Sequence, residues 1–281
     1  VRKQNAVGSW IVAVIVVLAV VVAGAYIAHK AMQPGHPVPA TAAASASTDT
    51  NATVAAAPIQ HPISQATPAS ASTAPLPALD GSDDNVVSAL ESLTGPGDLA
   101  TLLVRQQIVQ RIVATIDALP RRGLGIFMLP VHLPKGSFVT AGGASGTVVG
   151  EGNAARYEPY MRVIEHVDTK ALVAWYVHAY PLFQEAYRQL GYPKGYFNDR
   201  LIVVIDNLLD TPELVQPATL VSSKSFYVYT DPALESLSIG QKLLLRLGPA
   251  NETKLKAKLR MIRAELVGQT LPGTGSSSAT P

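Results

Sequence analysis

Three aspartates are the first residues whose types and spacing could do chemistry. Asp199, Asp206 and Asp210 stand seven and four residues apart, which sets them on one side of a single helix. Such carboxylates can hold a cation or a basic partner, or act as the acid and base of a hydrolytic step. The plainer expectation is a solvated face opposite a core built on Leu201, Ile205 and Leu208. A second cluster is basic. Between Asn251 and Leu266, Lys254, Lys256, Lys258, Arg260 and Arg263 face two acidic residues. Leu255, Leu259, Ile262 and Leu266 repeat at four, three and four and pack inward, leaving the other faces to the basic side chains. That surface suits an anionic partner (lipid headgroups, envelope polymer or an acidic protein), or is an ordinary soluble exterior. These eight residues form the candidate partner-binding set.

Other chemistries find no pattern. His132, His166 and His178 lack the i, i+4 pairing or His–Glu spacing of a zinc helix. Around Ser145 the second glycine of a nucleophile elbow is misplaced, and the glycines at 142, 143, 146, 150 and 152 open neither a phosphate loop nor a βαβ unit. Glu91-Ser92 is faintly similar to the acid residue of helical cell-wall lytic enzymes, but two residues make no signature. The chain has no cysteine, which excludes disulfides, thiolate ligands and thiol nucleophiles. No catalytic, metal or cofactor residue is assigned. With Lys+Arg 22 against Asp+Glu 20, bulk charge gives no reason to expect nucleic acid.

Tyrosines are crowded instead. Tyr157, Tyr160, Tyr176, Tyr180, Tyr187, Tyr192 and Tyr196 fall within forty residues. Such rings line binding surfaces, or pack in a core with hydroxyls reaching its rim. A recognition groove, if present, is expected where Pro181 bends its helix towards the Tyr192–Asn198 loop.

The elements that must position these residues are mainly helical. Asp83 or Asp84 is expected to cap a helix through Leu93, ended by Gly95-Pro96-Gly97. A second helix is predicted from Asp98 to Leu119 with Leu99, Leu102, Val109, Val113 and Ile116 on one face, and with Gln106 hydrogen-bonded at a helix contact. Short strands are expected at Ile126–Leu133, Ser137–Thr140 and Thr147–Val149, with a loop over Gly142–Gly146. Helices follow over Arg156–Val167, from Asp168 to Leu190 with a kink or break near Tyr180 from Pro181, and from an Asn198 cap to Leu209. A hairpin at Thr219–Val221 and Phe226–Tyr229 leads to a helix from Asp231-Pro232 through Leu247. Gly248-Pro249 then separates it from a last helix to Leu266. No internal repeat is evident. The expected fold is a compact, mainly α multi-helix domain over 83–267 with minor short β-strands, preceded by one transmembrane helix.

The Tyr192-Pro193-Lys194-Gly195-Tyr196-Phe197-Asn198-Asp199-Arg200 stretch, the Gly240–Pro249 stretch and Tyr180-Pro181-Leu182-Phe183 resemble the bacterial family labelled domain of unknown function 3014. The resemblance covers roughly residues 100 to 266. It implies a shared plan of N-terminal span, Pro/Ala-rich linker and folded domain, and it carries no activity or catalytic residue.

The amino-terminal sequence agrees with that plan. Trp10 to Ala28 is a run of nineteen uncharged residues, close to the ~20 that a ~30 Å hydrocarbon core requires. A cleaved signal peptide with Ala23-Gly24-Ala25 at its end is the alternative to an uncleaved anchor. Arg2 and Lys3 precede the run and only Lys30 follows closely, so residues 1–9 are expected in the cytoplasm and the domain outside it, on the inner membrane of a bacterial envelope. Over 31–82, 35 of 52 residues are Ala, Pro, Ser or Thr, so 29–82 is expected to be a disordered linker and 268–281 a disordered tail. The expected partners are the bilayer through 10–28 and an envelope protein or anionic envelope polymer, with no nucleic acid. The leading expectation is a non-enzymatic interaction or scaffolding module of the envelope; the alternative is a cell-wall hydrolase or lyase built on the Asp199 cluster.

Overall fold

A computed structural model of the chain describes residues 58–66, 72–94, 98–123, 129–143, 146–223 and 226–268. The expected span at 10–28, most of the linker, the Gly95-Pro96-Gly97 stop and the tail after Gly268 lie outside the described residues. Among the described residues no helix is long and apolar enough to cross a membrane.

The domain is mainly helical. Helices α1 (Asp83–Thr94), α2 (Asp98–Leu102) and α3 (Ile108–Ala118) open it. A hairpin of β1 (Thr140–Gly143) and β2 (Gly146–Val149) follows, then α4 (Gly152–Arg156), α5 (Glu158–His166), α6 (Thr169–Gln189) and α7 (Phe197–Leu209). A second hairpin, β3 (Leu220–Ser223) with β4 (Phe226–Tyr229), precedes α8 (Pro232–Ser236), α9 (Ile239–Leu247) and α10 (Pro249–Val267). Both hairpins are antiparallel, pairing Thr140 with Val149 and Leu220 with Tyr229. They meet where Val149 N–H donates to Ala218 O.

The core lies among α3, α6, α7 and α10, which pack on one another. Ile112, Ile116, Leu172, Phe183, Phe197, Leu201, Leu259 and Ile262 are buried there. The apolar repeat of the last helix is buried as expected: Leu255, Leu259, Ile262 and Leu266 are all at most 1% exposed. Local stop and start signals also hold. Asp168 caps α6 through Ala171 N–H at 2.9 Å, Asp231 caps α8 through Ala233 N–H at 2.8 Å, and Gly191 ends α6's last turn at φ +114°.

Of the strands expected at Ile126–Leu133 and Ser137–Thr140, the described residues take strand pairing only at Val131, in an isolated bridge, and at Thr140, which opens β1. Four further expectations about the elements differ. The helix predicted from Asp98 to Leu119 is two, because Leu103 leaves it to bridge Val131 and Gln107 takes φ +53°. Gln106 is consequently exposed rather than at a helix contact. The break is held by Asp83, one of the two residues expected to cap α1; its carboxylate accepts Gln107 N–H and Ile108 N–H, both at 2.8 Å, and so caps α3. Asp83→Ala is therefore expected to cost about 1 kcal/mol, the usual worth of an N-cap, measured by chemical unfolding. Secondly, the helix expected through Leu247 restarts at Ser238, whose capping box with Gln241 begins α9. Thirdly, of the kink or break expected at Pro181 the break is absent: α6 is one helix from Thr169 to Gln189. The proline is exposed, and buried Tyr176, Ala179, Leu182 and Phe183 hold both flanks against the core, so packing outweighs one missing backbone bond. Fourthly, Gly142, Gly143 and Gly146 belong to strands rather than a loop; residues 144–145 lie outside the described residues.

Candidate functional site

On α6, Tyr176, Tyr180 and Gln184 succeed one another every four residues and so share one face. Their rings pack edge-on, Tyr176 to Tyr180 at 5.8 Å between centroids, and Tyr180 reaches Tyr196 at 5.5 Å. Gln184 fixes the 192–197 loop over this face. Its Nε2 donates to Gly195 O at 2.7 Å, and its Oε1 accepts Phe197 N–H at 2.9 Å and the Tyr180 hydroxyl at 2.6 Å. The loop delivers Tyr196, Asn198 and Asp199 to the start of α7. Asn198, expected as the cap of that helix, is instead buried inside its first turn, because Tyr196 and not Asn198 occupies the cap position.

An extended stretch of the same chain lies across these residues. Asp199 Oδ2 accepts Gln60 N–H at 3.0 Å and Oδ1 accepts His61 N–H at 2.6 Å. Asn198 Nδ2 donates to His61 O at 2.8 Å, and Tyr196 Oη accepts Ile63 N–H at 2.8 Å. Residues 63–65 then close a 3-10 turn, with Ile63 packed on the main core and Ala66 buried within it. All four of these bonds go to main chain. Pro62, which has no N–H, occupies a position where none is used. Composition alone assigns residues 58–66 to a disordered linker; polar main-chain contacts, invisible to composition, hold them on the domain. Further along, Leu79 is buried against α1 and α6.

The hydroxyls of Tyr176 and Tyr180, beneath this clasp, are held as neutral groups. Burial pushes the Tyr176 and Tyr180 pKa values well up, and neighbouring Tyr196 and Asp199 add to it. Both therefore keep their protons at any physiological pH. Tyr176 Oη donates to Asn198 Oδ1 at 3.3 Å, which turns the amide nitrogen towards His61 O.

The predicted partner-binding residues are not gathered into one surface. Asp199 is in the groove. Asp206 instead takes Arg263 in a two-pronged pair at 2.5 and 3.1 Å, and Asp210 lies exposed at the C-terminal end of α7. Four of the five basic residues of α10 have partners within the fold, while Lys254 and Arg260 stay exposed. Lys254 pairs with Glu165 at 2.7 Å, and Lys258 donates to Val167 O at 2.6 Å, with burial lowering its pKa. Lys256 is 2% exposed: its Nζ donates to Thr211 O at 2.6 Å and lies 2.8 Å from Glu252 Oε1, an ion contact without hydrogen-bond alignment. Arg260 is exposed. Charge counting saw the sign of this helix but not the carbonyls and carboxylates packed against it.

A second concavity, of about 410 Å³, opens between β2, residues 214–218 and the start of α10. Of its polar lining, Asn153 bonds Val139 and Gly150, Asn251 donates to Leu247 O at 3.1 Å, and Glu252 faces Lys256. Among the described residues no group of His, Asp or Glu is placed to hold a metal ion. Sequence reasoning found the neighbourhood of the groove through its tyrosines and the Tyr192–Asn198 loop, but it missed Gln184 and read Asn198 as a helix cap, because Gly195, Phe197 and His61, which decide their roles, lie eleven or more residues away.

A family model described as "Protein of unknown function (DUF3014)" matches residues 108–263, more than half of the chain. No curated protein and no solved structure matches.

Proposed function

The chain belongs to the DUF3014 family, and from that footing we propose that it is a non-enzymatic interaction module of the bacterial envelope. In this reading residues 10–28 anchor it in the inner membrane, the domain stands outside the cytoplasm, and the groove formed by Tyr196, Asn198 and Asp199 at the start of α7, beside α10, takes an extended, proline-bearing segment. The observation that carries the reading is the grip on residues 60–63. Asp199, Asn198 and Tyr196 spend their side chains on another segment's main chain rather than on capping α7. Side chains that read backbone recognise an extended conformation, and prolines pre-set that conformation at low entropic cost. An anionic-polymer surface on α10 has less support, since Lys254, Lys256, Lys258 and Arg263 have partners within the fold. The hydrolase reading has less support for the same reason: Asp199 and Asp206 are occupied by backbone and by Arg263.

A photo-crosslinking residue at Lys194, on the groove's rim, tests this in cells expressing the full chain. The expected result is a light-dependent adduct with a specific envelope protein that disappears in an Asp199→Ala background. Recovery of a cytosolic partner, or of no partner, would count against the proposal.

A further inference from the structure

The docked segment uses its main chain at fixed positions. Gln60, His61 and Ile63 supply N–H groups to Asp199 and Tyr196. Among the described residues, Ile59, Pro62 and Ser64 supply none to the groove. The side chains at 59 and 60 are exposed and go unread. The register thus uses donors at 60, 61 and 63 and needs none at 59, 62 and 64, with an aliphatic side chain at 63 that packs on the core.

The same register recurs upstream, shifted by 25 residues. Pro34-Gly35-His36-Pro37-Val38-Pro39 aligns with Ile59-Gln60-His61-Pro62-Ile63-Ser64. His-Pro-aliphatic repeats as a unit. The three prolines at 34, 37 and 39 fall where the docked segment gives no N–H, and Gly35, His36 and Val38 keep the three donors the groove requires. Gly35 stands where the side chain goes unread.

We infer that His36-Pro37-Val38 is a second ligand of the groove, and that it and His61-Pro62-Ile63 of the same chain exchange for one site. The inference rests on the peptide-groove reading and names its recognition class: an extended segment with donors flanking a central proline and an aliphatic residue after it. Two ligands on one chain compete at the high effective concentration a short tether gives, on the order of millimolar. A free peptide therefore meets an occupied groove until both are disabled.

The test uses the full chain in detergent and a fluorescent peptide of residues 56–66, followed by anisotropy. One variant carries Gln60→Pro and His61→Pro, which removes the two N–H groups facing Asp199 and changes nothing in the helical body. A second adds Gly35→Pro and His36→Pro. The expected result is weak peptide binding to the native chain and to the first variant, and binding tighter by about tenfold or more in the second, where no resident ligand remains. If the first variant alone opens the groove, the upstream segment is not an occupant and the inference falls while the groove reading stands. If the second variant also fails to bind, the groove reading itself falls. A check on the native chain is independent of any substitution: an excess of peptide 31–41 is expected to speed amide exchange at Gln60, His61 and Ile63, and unchanged exchange there would overturn the inference.

Discussion

Asp117→Ala is expected to lower folding stability by about 3 kcal/mol. Asp117 sits in the last turn of α3 with its side chain 6% exposed. Arg200 Nε donates to Oδ1 at 2.9 Å and Arg200 Nη2 to the Asp117 carbonyl at 2.6 Å. Arg121 pairs with Oδ2, and the Tyr192 hydroxyl donates to the same oxygen at 3.1 Å. Removing the carboxylate leaves Arg200, about a quarter exposed, facing the end of α3 without its counter-charge. Removal of one partner of a fully buried pair costs ~3–5 kcal/mol, and the low end applies because both arginines touch water. In a domain of this size the midpoint of thermal unfolding should fall by roughly 6–12 °C. Asp117→Asn, which still accepts from Arg200, should recover some of it. A midpoint unchanged within about 2 °C would mean the network contributes nothing net.

The second large effect is local. Asp199→Ala should free residues 58–66 while leaving the global unfolding midpoint nearly untouched. Hydrogen bonds to a charged acceptor contribute ~1.5–3 kcal/mol each when buried. Gln60 is exposed and His61 half-buried, so about 1–2 kcal/mol for the pair is the fair figure. Amide exchange at Gln60 and His61 should therefore quicken by roughly 5–30-fold. Asp199→Asn is informative because it keeps the shape. Its amide offers one oxygen and turns an NH₂ towards the other N–H, so it should behave almost as Ala does. Unchanged exchange in Asp199→Ala would show that Tyr196 and Asn198 suffice to hold the segment.

Much of the helical scaffold was legible because its signals are local. Asp168 and Asp231-Pro232 announce starts, Gly191 and Gly248-Pro249 announce stops, and the repeat from Leu255 to Leu266 announces a buried face. What failed depends on distance along the chain. Asp83 looks like the cap of the helix that follows it, yet its oxygens satisfy amides 24 and 25 residues away. Asn198 has the type and place of a cap, but its amide answers His61, 137 residues earlier. The groove was half visible. Its tyrosines marked the region, but the occupant lies in a stretch that composition assigns to linker. Composition weighs apolar surface and cannot register a carboxylate meeting two consecutive amides. The basic helix shows the same limit: a count of lysines does not say that one of them is buried against Glu252 and a carbonyl.

The grip at residues 60–63 also decides where mechanical load would enter. If the amino end is held in the bilayer, a pull on the domain reaches Asp199 and Tyr196 before it reaches Leu79 or α1. Those few bonds, and then the packing of Ile63 and Ala66 on the core, would open in succession like a zip. Their release would lengthen the connection by up to about 50 Å, the reach of some fifteen residues of chain at ~3.4 Å each. The core helices would carry no strain until that slack was used, so the clamp would act as a breakaway link that spares the domain.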